Sequence, residues 1–215
     1  SGFTRSVKHT VIANPLPQEL FDFVSSKSDS RETLGLSHTE PIVLFTAWKA
    51  WKDTGDLNKG YDLLERAIPI AREQHSFSFV VLGHDGTLIP PKLGAIWIEP
   101  NGSQQQIATI MRAADVLVAA SRSEVLPTAV AESQALGTPA VVPGASGFVD
   151  VVTDGETGLF FAPEDPVSLA ARIVTMIESP DNREAMGRAA AARAKQLWHP
   201  SVIAPQYSRV YGGRI

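Results

Sequence analysis

Asp115-Val-Leu-Val-Ala-Ala-Ser-Arg-Ser-Glu-Val-Leu-Pro-Thr-Ala-Val-Ala-Glu-Ser-Gln-Ala-Leu-Gly-Thr-Pro-Ala-Val-Val142 reads as a strand, a turn, a helix and the next strand. Pro127 fits the first helical position, where its missing N–H costs nothing and its fixed φ suits the helix. The amides of Thr128, Ala129 and Val130 would then be free at the helix N-terminus. That end carries partial positive charge and is suited to phosphate. Glu124 would lie just outside it and Glu132 one turn inside. Each ionised carboxylate can grip a sugar diol through paired hydrogen bonds, with phosphate held between them. A nucleotide sugar has that shape: ribose, diphosphate, hexose. Two isolated glutamates are more often ordinary surface residues of a βα unit, so the rest of the chain has to decide.

Outward from this stretch, short apolar runs alternate with helical patterns. Ile42–Ala47, Phe77–Leu82, Ala95–Ile98, Asp115–Ala119, Pro139–Val142 and Gly158–Phe161 are near-continuous apolar runs, as parallel strands covered on both faces require. Tyr61, Leu64, Ala67, Ile68 and Ala71 repeat at helical spacing, with Pro69 expected to kink that helix. Ile107, Ile110 and Met111 mark the next helix, capped by Ser103. Alternating strands and helices imply an α/β fold, a Rossmann-like open parallel sheet with helices on both faces. Ligands of such sheets bind outside the carboxyl ends of the strands, where the glutamate turn lies. After Pro163 the chain turns helical. Asp165-Pro166 opens a helix to about Glu178, Asp181 caps an Ala-rich second, and Val202–Tyr211 reads as a short third. Ser25–Pro41, rich in Ser and charge, reads as a surface loop or irregular connection. The expected organisation is one domain over 1–215: a leading segment (1–41), an α/β core (42–163) and C-terminal helices (164–215).

Composition removes several classes. The 215 residues carry a formal charge of −4 and no Lys/Arg block, which argues against a nucleic-acid surface. No apolar run reaches the roughly 18 residues of a membrane span, and no signal peptide is evident. Cysteine is absent, which excludes disulfide and thiolate chemistry and fits a cytoplasmic protein. The five histidines (His9, His38, His75, His84, His199) show no metal-ligand spacing, so no metal site is expected. Gly83-His-Asp-Gly86 ends a strand but is not the dinucleotide fingerprint, which speaks against a nicotinamide enzyme. His84 reads better as a surface residue than as a base. The four tryptophans read as fillers, although Trp48 and Trp51 share a loop with Lys49 and Lys52.

Asn58-Lys59-Gly60 leads from the strand at Ile42 into a helix, where a lysine can neutralise phosphate. A solvated lysine is the bland alternative. Gly144-Ala-Ser-Gly147 follows the strand at Pro139 and can approach a hexose or phosphate closely. Asp154-Gly-Glu-Thr-Gly158 reads as a plain turn.

Together these residues resemble the C-terminal, donor-binding domain of GT-B glycosyltransferases of family 4, the glycosyl transferase group 1 type. The likeness runs from about Val11 to Tyr211. It rests on Ile12-Ala-Asn-Pro, Asn58-Lys-Gly-Tyr-Asp-Leu-Leu, Val80-Val-Leu-Gly, Ala114-Asp-Val-Leu-Val, the E-x7-E pair Glu124 and Glu132, Asp154-Gly-Glu-Thr-Gly-Leu and Gln206-Tyr-Ser-Arg-Val-Tyr211. The resemblance implies that Glu124 binds hydroxyls of the donor hexose and Glu132 the ribose. It implies that Lys59 binds the diphosphate, helped by Leu126, Thr128, Ala129 and the Gly144, Ser146 and Gly147 loop. Glu124 and Lys59 are then the catalytic residues. Such enzymes retain anomeric configuration, need no metal or cofactor, and stabilise the leaving diphosphate electrostatically.

The chain also departs from the family. Pro127 stands where many members have glycine. The arginine that usually follows the first strand is not evident, leaving Lys49 or Lys52 as substitutes. The acceptor-binding N-terminal domain has no counterpart here, so the chain is expected to be a fragment that binds donor but transfers little alone. The expected function is the donor domain of a retaining hexosyltransferase of polysaccharide biosynthesis, with a glycan or lipid acceptor. It would be cytoplasmic, or peripheral at the inner membrane face in the full-length protein. A nucleotide-sugar-binding module without catalysis and a sugar-nucleotide epimerase are the alternatives.

Overall fold

Apolar strands without alternation need cover on both faces, and this sheet receives it. The computed structural model describes residues 10–46, 57–83 and 93–212. In it β1 (Ile42–Thr46), β2 (Ser78–Leu82), β3 (Ile96–Ile98), β4 (Val116–Val118), β5 (Ala140–Pro143) and β6 (Gly158–Phe161) pair in parallel, in the order β3-β2-β1-β4-β5-β6. Alternate residues face opposite sides. Val43, Phe45, Phe79, Val81, Val116 and Val118 pack with α3 (Tyr61–Arg72) and α7 (Pro166–Glu178). Ile42, Leu44, Val80, Leu117 and Val142 pack on the other face with α4 (Gln104–Ala113), α5 (Thr128–Ala135) and α8 (Pro180–Trp198). The expected open parallel sheet with helices on both sides is what forms.

Local chemistry sets the helix ends. Ser103 caps α4 by accepting from the Gln106 amide, and Asp165 caps α7 by accepting from Val167 and Ser168. α3 runs on through Pro69 to Arg72. α8 begins at Pro180 behind Ser179, so Asp181 lies in its first turn rather than at its cap. The last helix, α9 (Pro200–Val210), starts two residues before its expected position because the His199 ring caps it. Packing of α7 on α3 and of α8 on α5 makes the C-terminal helices part of the layers that cover the sheet. Among the described residues no helix is long and apolar enough to cross a membrane.

The reading of Ser25–Pro41 as a loop is corrected. The short α1 (Gln18–Phe21) is followed by α2 (Lys27–Leu34), which opens with a reciprocal Ser26–Asp29 capping box and ends at Gly35 in the left-handed region. Its only buried residues are Ser30 and Arg31, so there was no apolar period to read. What seats it is charge. Asp115, at the amino end of β4, accepts from Lys27 at 2.9 Å, from Arg31, and from the Ile42 amide at 2.8 Å, with Arg183 of α8 3.3 Å away. Burial pushes the Asp115 carboxyl up, but Lys27, the Ile42 amide and Arg183 outweigh it and hold it below its ordinary range. This knot ties α2, two strands and α8 together at one end of the sheet.

The sheet order reverses between β1 and β4, the switch point at which doubly wound sheets bind ligands. The loops that follow those two strands carry Lys59 and Glu124.

Candidate functional site

Two backbone approaches build the site. Leu57–Lys59 forms a 3-10 turn that ends at Gly60, φ +69°, the cap of α3. A Cβ there would stand 2.0 Å from the Ala120 carbonyl oxygen, so glycine is required where the loop after β1 crosses the end of β4. Asn58 then stitches the two loops. Its carbonyl accepts from the Arg122 amide at 2.8 Å, and its side chain accepts from the Ser123 amide and donates to the Ser123 carbonyl, both at 3.2 Å. Lys59 and Glu124 follow these anchors and meet, Nζ to Oε1, at 2.7 Å. Both remain accessible, at 35% and 21% of side-chain surface.

The second approach comes from the loop after β5. Ser146 Oγ donates to the Glu124 carbonyl at 2.7 Å and accepts from the Glu124 amide at 3.0 Å, while the Gly147 amide donates to the same carbonyl at 2.8 Å. A Cβ on Gly147 would come within 2.2 Å of the Val125 oxygen. The Gly144 amide bonds the Phe161 carbonyl at 3.0 Å. Two amides of this loop are therefore spent on protein acceptors. Its short helix α6 (Phe148–Val151) follows directly.

Pro127 caps α5 rather than occupying its first turn. Its carbonyl takes the amides of Val130 at 3.0 Å and Ala131 at 3.1 Å, so Val130 is not among the open donors. The Thr128 and Ala129 amides donate to no described group. Leu126 and Ala129 turn their side chains onto the core, so neither offers more than backbone to a ligand. Val125 is 95% exposed beside Glu124.

Glu132 sits four residues along from Thr128 on the same face of α5. Its carboxyl is half-buried and has no hydrogen-bond or ion partner among the described residues. Burial alone pushes its pKa up to about 7. A carboxyl so placed can take two hydroxyl donors from a ligand.

Lys49, Lys52, Trp48, Trp51 and His84 lie outside the described residues. Sequence reasoning gave Asn58 no role of its own and missed Arg122. Arg122 reaches Asp62 with two nitrogens, at 3.0 and 2.8 Å, and Glu164 at 3.0 Å. Those carboxylates hold it firmly protonated and lock the loop after β4 to α3. Its place at a strand's carboxyl end was the one available signal. Among the described residues no three of His, Cys, Asp and Glu come together to hold a metal ion.

Comparison with known proteins adds the family. Residues 43–179 match the model of glycosyl transferases group 1. A D-inositol 3-phosphate glycosyltransferase of Thermomonospora curvata is 32% identical over 187 residues, 80% of this chain and 43% of that protein. The chain thus spans less than half the length of that relative. HepE of Anabaena, solved in complex with UDP and glucose, superposes with a TM-score of 0.77 at 21% identity, covering 94% of this chain and 56% of that one. The C-terminal domain of a glycosyl transferase group 1 family protein (LpcC) from Francisella tularensis has a TM-score of 0.70 at 16% identity, covering 86% of this chain and 98% of that one. These two likenesses show a shared fold.

Proposed function

The chain belongs to the group 1 glycosyl transferases, and on that premise we propose that it is the donor-binding domain of a retaining glycosyltransferase that moves a hexosyl group from a nucleotide diphosphate. The carrying observation is Glu132: a half-buried carboxyl with no partner among the described residues, one turn inside a helix whose Thr128 and Ala129 amides donate to no described group. Ribose hydroxyls donating to Glu132 offset its desolvation. The diphosphate lies across those two amides, with Lys59 balancing its charge and no metal ion required. Glu124, held beside Lys59, takes the hexose hydroxyls. As the bond to the sugar breaks, charge grows on the leaving diphosphate, and Lys59 and the helix terminus stabilise it. The acceptor, a glycan or lipid, is held by the remainder of a longer protein.

The test is calorimetric titration of the chain with UDP, GDP and ADP, repeated on Glu132→Ala and Lys59→Ala. One diphosphate should bind and lose at least about tenfold in affinity in each variant, the worth of ~1.4 kcal/mol. Binding that is indifferent to both substitutions would sink the reading.

A further inference from the structure

Ser146 stands in the left-handed region at φ +57°, without being glycine. Glycine reaches that conformation freely, and serine does not. Strain of this kind persists where the surroundings fix it and gathers at functional sites. The hydroxyl is what glycine would lack. It spans the Glu124 peptide, donating to the carbonyl at 2.7 Å and accepting from the amide at 3.0 Å. One residue earlier, the Asn58 amide performs the same operation on Ser123, one bond to its N–H and one to its C=O. The backbone at Ser123 and Glu124 is therefore held from two sides, by the loop after β1 and the loop after β5. Side chains make the paired holds, beside the single backbone bonds from the Gly147 amide to Glu124 and from the Arg122 amide to Asn58, and among the described residues only Lys59 meets the Glu124 carboxylate.

We propose that Ser146 and Asn58 are positioning residues that fix the Glu124 carboxylate for recognition of the donor's sugar. Neither contacts the donor. The inference rests on the donor-domain reading above and revises the expected role of Ser146, which was to line the ligand. Three loops must agree before Glu124 is aimed, and only the hexose end of the donor feels the result. The ribose end rests on Glu132, which belongs to α5 and not to this clamp.

That asymmetry makes the test. The probes are UDP with UDP-glucose, GDP with GDP-mannose, and ADP with ADP-glucose, titrated into the chain and into Ser146→Gly, Asn58→Ala and Asn58→Asp. The unaltered chain should bind the sugar-bearing member of one pair more tightly than the bare diphosphate. Ser146→Gly relieves backbone strain but gives up two hydrogen bonds and frees the unfolded chain, so its melting temperature should stay within a few degrees of the unaltered chain's. It should nonetheless lose at least fivefold of its preference for the sugar-bearing form, with the bare diphosphate within twofold. Asn58→Ala should lose the same preference, and Asn58→Asp, which keeps the acceptor for the Ser123 amide, should recover part of it. Full sugar preference in Ser146→Gly overturns the inference, as does an equal loss for both members of the pair. Equal affinity for both members in the unaltered chain also overturns it, because Glu124 would not then read the sugar. No binding of any probe by the unaltered chain brings down the donor-domain reading and the inference together.

Discussion

The two ends of β4 carry carboxyl groups with opposite surroundings. At the amino end, Asp115 is buried among Lys27, Arg31, Arg183 and the Ile42 amide, and is held in its ionised form. Past the carboxyl end, Glu132 is half-buried with no partner among the described residues, and its pKa rises to about 7. Burial penalises both charges; among the described residues only one is compensated. The compensated acid is fold-holding, since it ties α2, whose buried residues are Ser30 and Arg31, to the sheet. An uncompensated one raises the energy of the unliganded protein, which a ligand with donors can lower. The same residue chemistry therefore separates scaffold from candidate site by partner supply.

The largest test of this contrast is Asp115→Ala. It strands buried cations, and breaking one side of a buried pair costs about 3–5 kcal/mol. Urea unfolding should show that loss, with α2 detaching from the sheet. A loss below about 1 kcal/mol would make Asp115 no different from a surface acid.

The second test is pH. Glu132 has a folded pKa above its ordinary 4.5, so the folded chain binds more protons between those values. Stability of the unliganded chain should therefore fall as pH rises from about 4.5 to about 7 and level off above it, by on the order of 2 kcal/mol. Asp115 has the reverse sign: its contribution is present above the ordinary value of 3.8 and is lost as pH falls through its lower folded pKa. Glu132→Gln should flatten the first slope, leave the acid limb in place, and weaken nucleotide binding. Affinity in the unaltered chain should climb through the same window, because hydroxyl donors favour the ionised acid. A flat slope between pH 5 and 7 would place Glu132 in water after all.

The smallest effect belongs to Ser26→Ala, which removes the α2 cap and should cost about 1 kcal/mol in thermal or urea unfolding. Nucleotide affinity should stay within error, since α2 serves the Asp115 end. A loss of affinity there would show that the two ends are coupled.

Much of the scaffold was legible because its signals are local. Strand runs at Ile42, Val80, Val116 and Gly158 are covered on both faces and so are apolar throughout. Asp165-Pro166 and Ser103 mark helix starts within a few residues of where they act. Helix α2 escaped because its seat is ionic, although Ser26-x-x-Asp29 and Gly35 bracketed it. In the site, Glu124, Glu132 and Lys59 could be picked out from their positions at strand and helix ends. The hydrogen bonds of Asn58 and Ser146 to residues 65 and 22 positions away could not.

Sequence by itself determined the parallel α/β class, the succession of strands along the chain, and which carboxylates and lysine lie at the carboxyl end of the sheet. Those properties follow from hydrophobic period, capping chemistry and chain order, all readable within a few residues. Tertiary structure decided which polar groups are already spent. It assigned the Gly144, Gly147 and Val130 amides to protein acceptors, surrounded Asp115 with cations and left Glu132 without a partner among the described residues. A hydrogen bond or ion pair needs its partner within about 3 Å, and only folding brings residues distant in sequence that close.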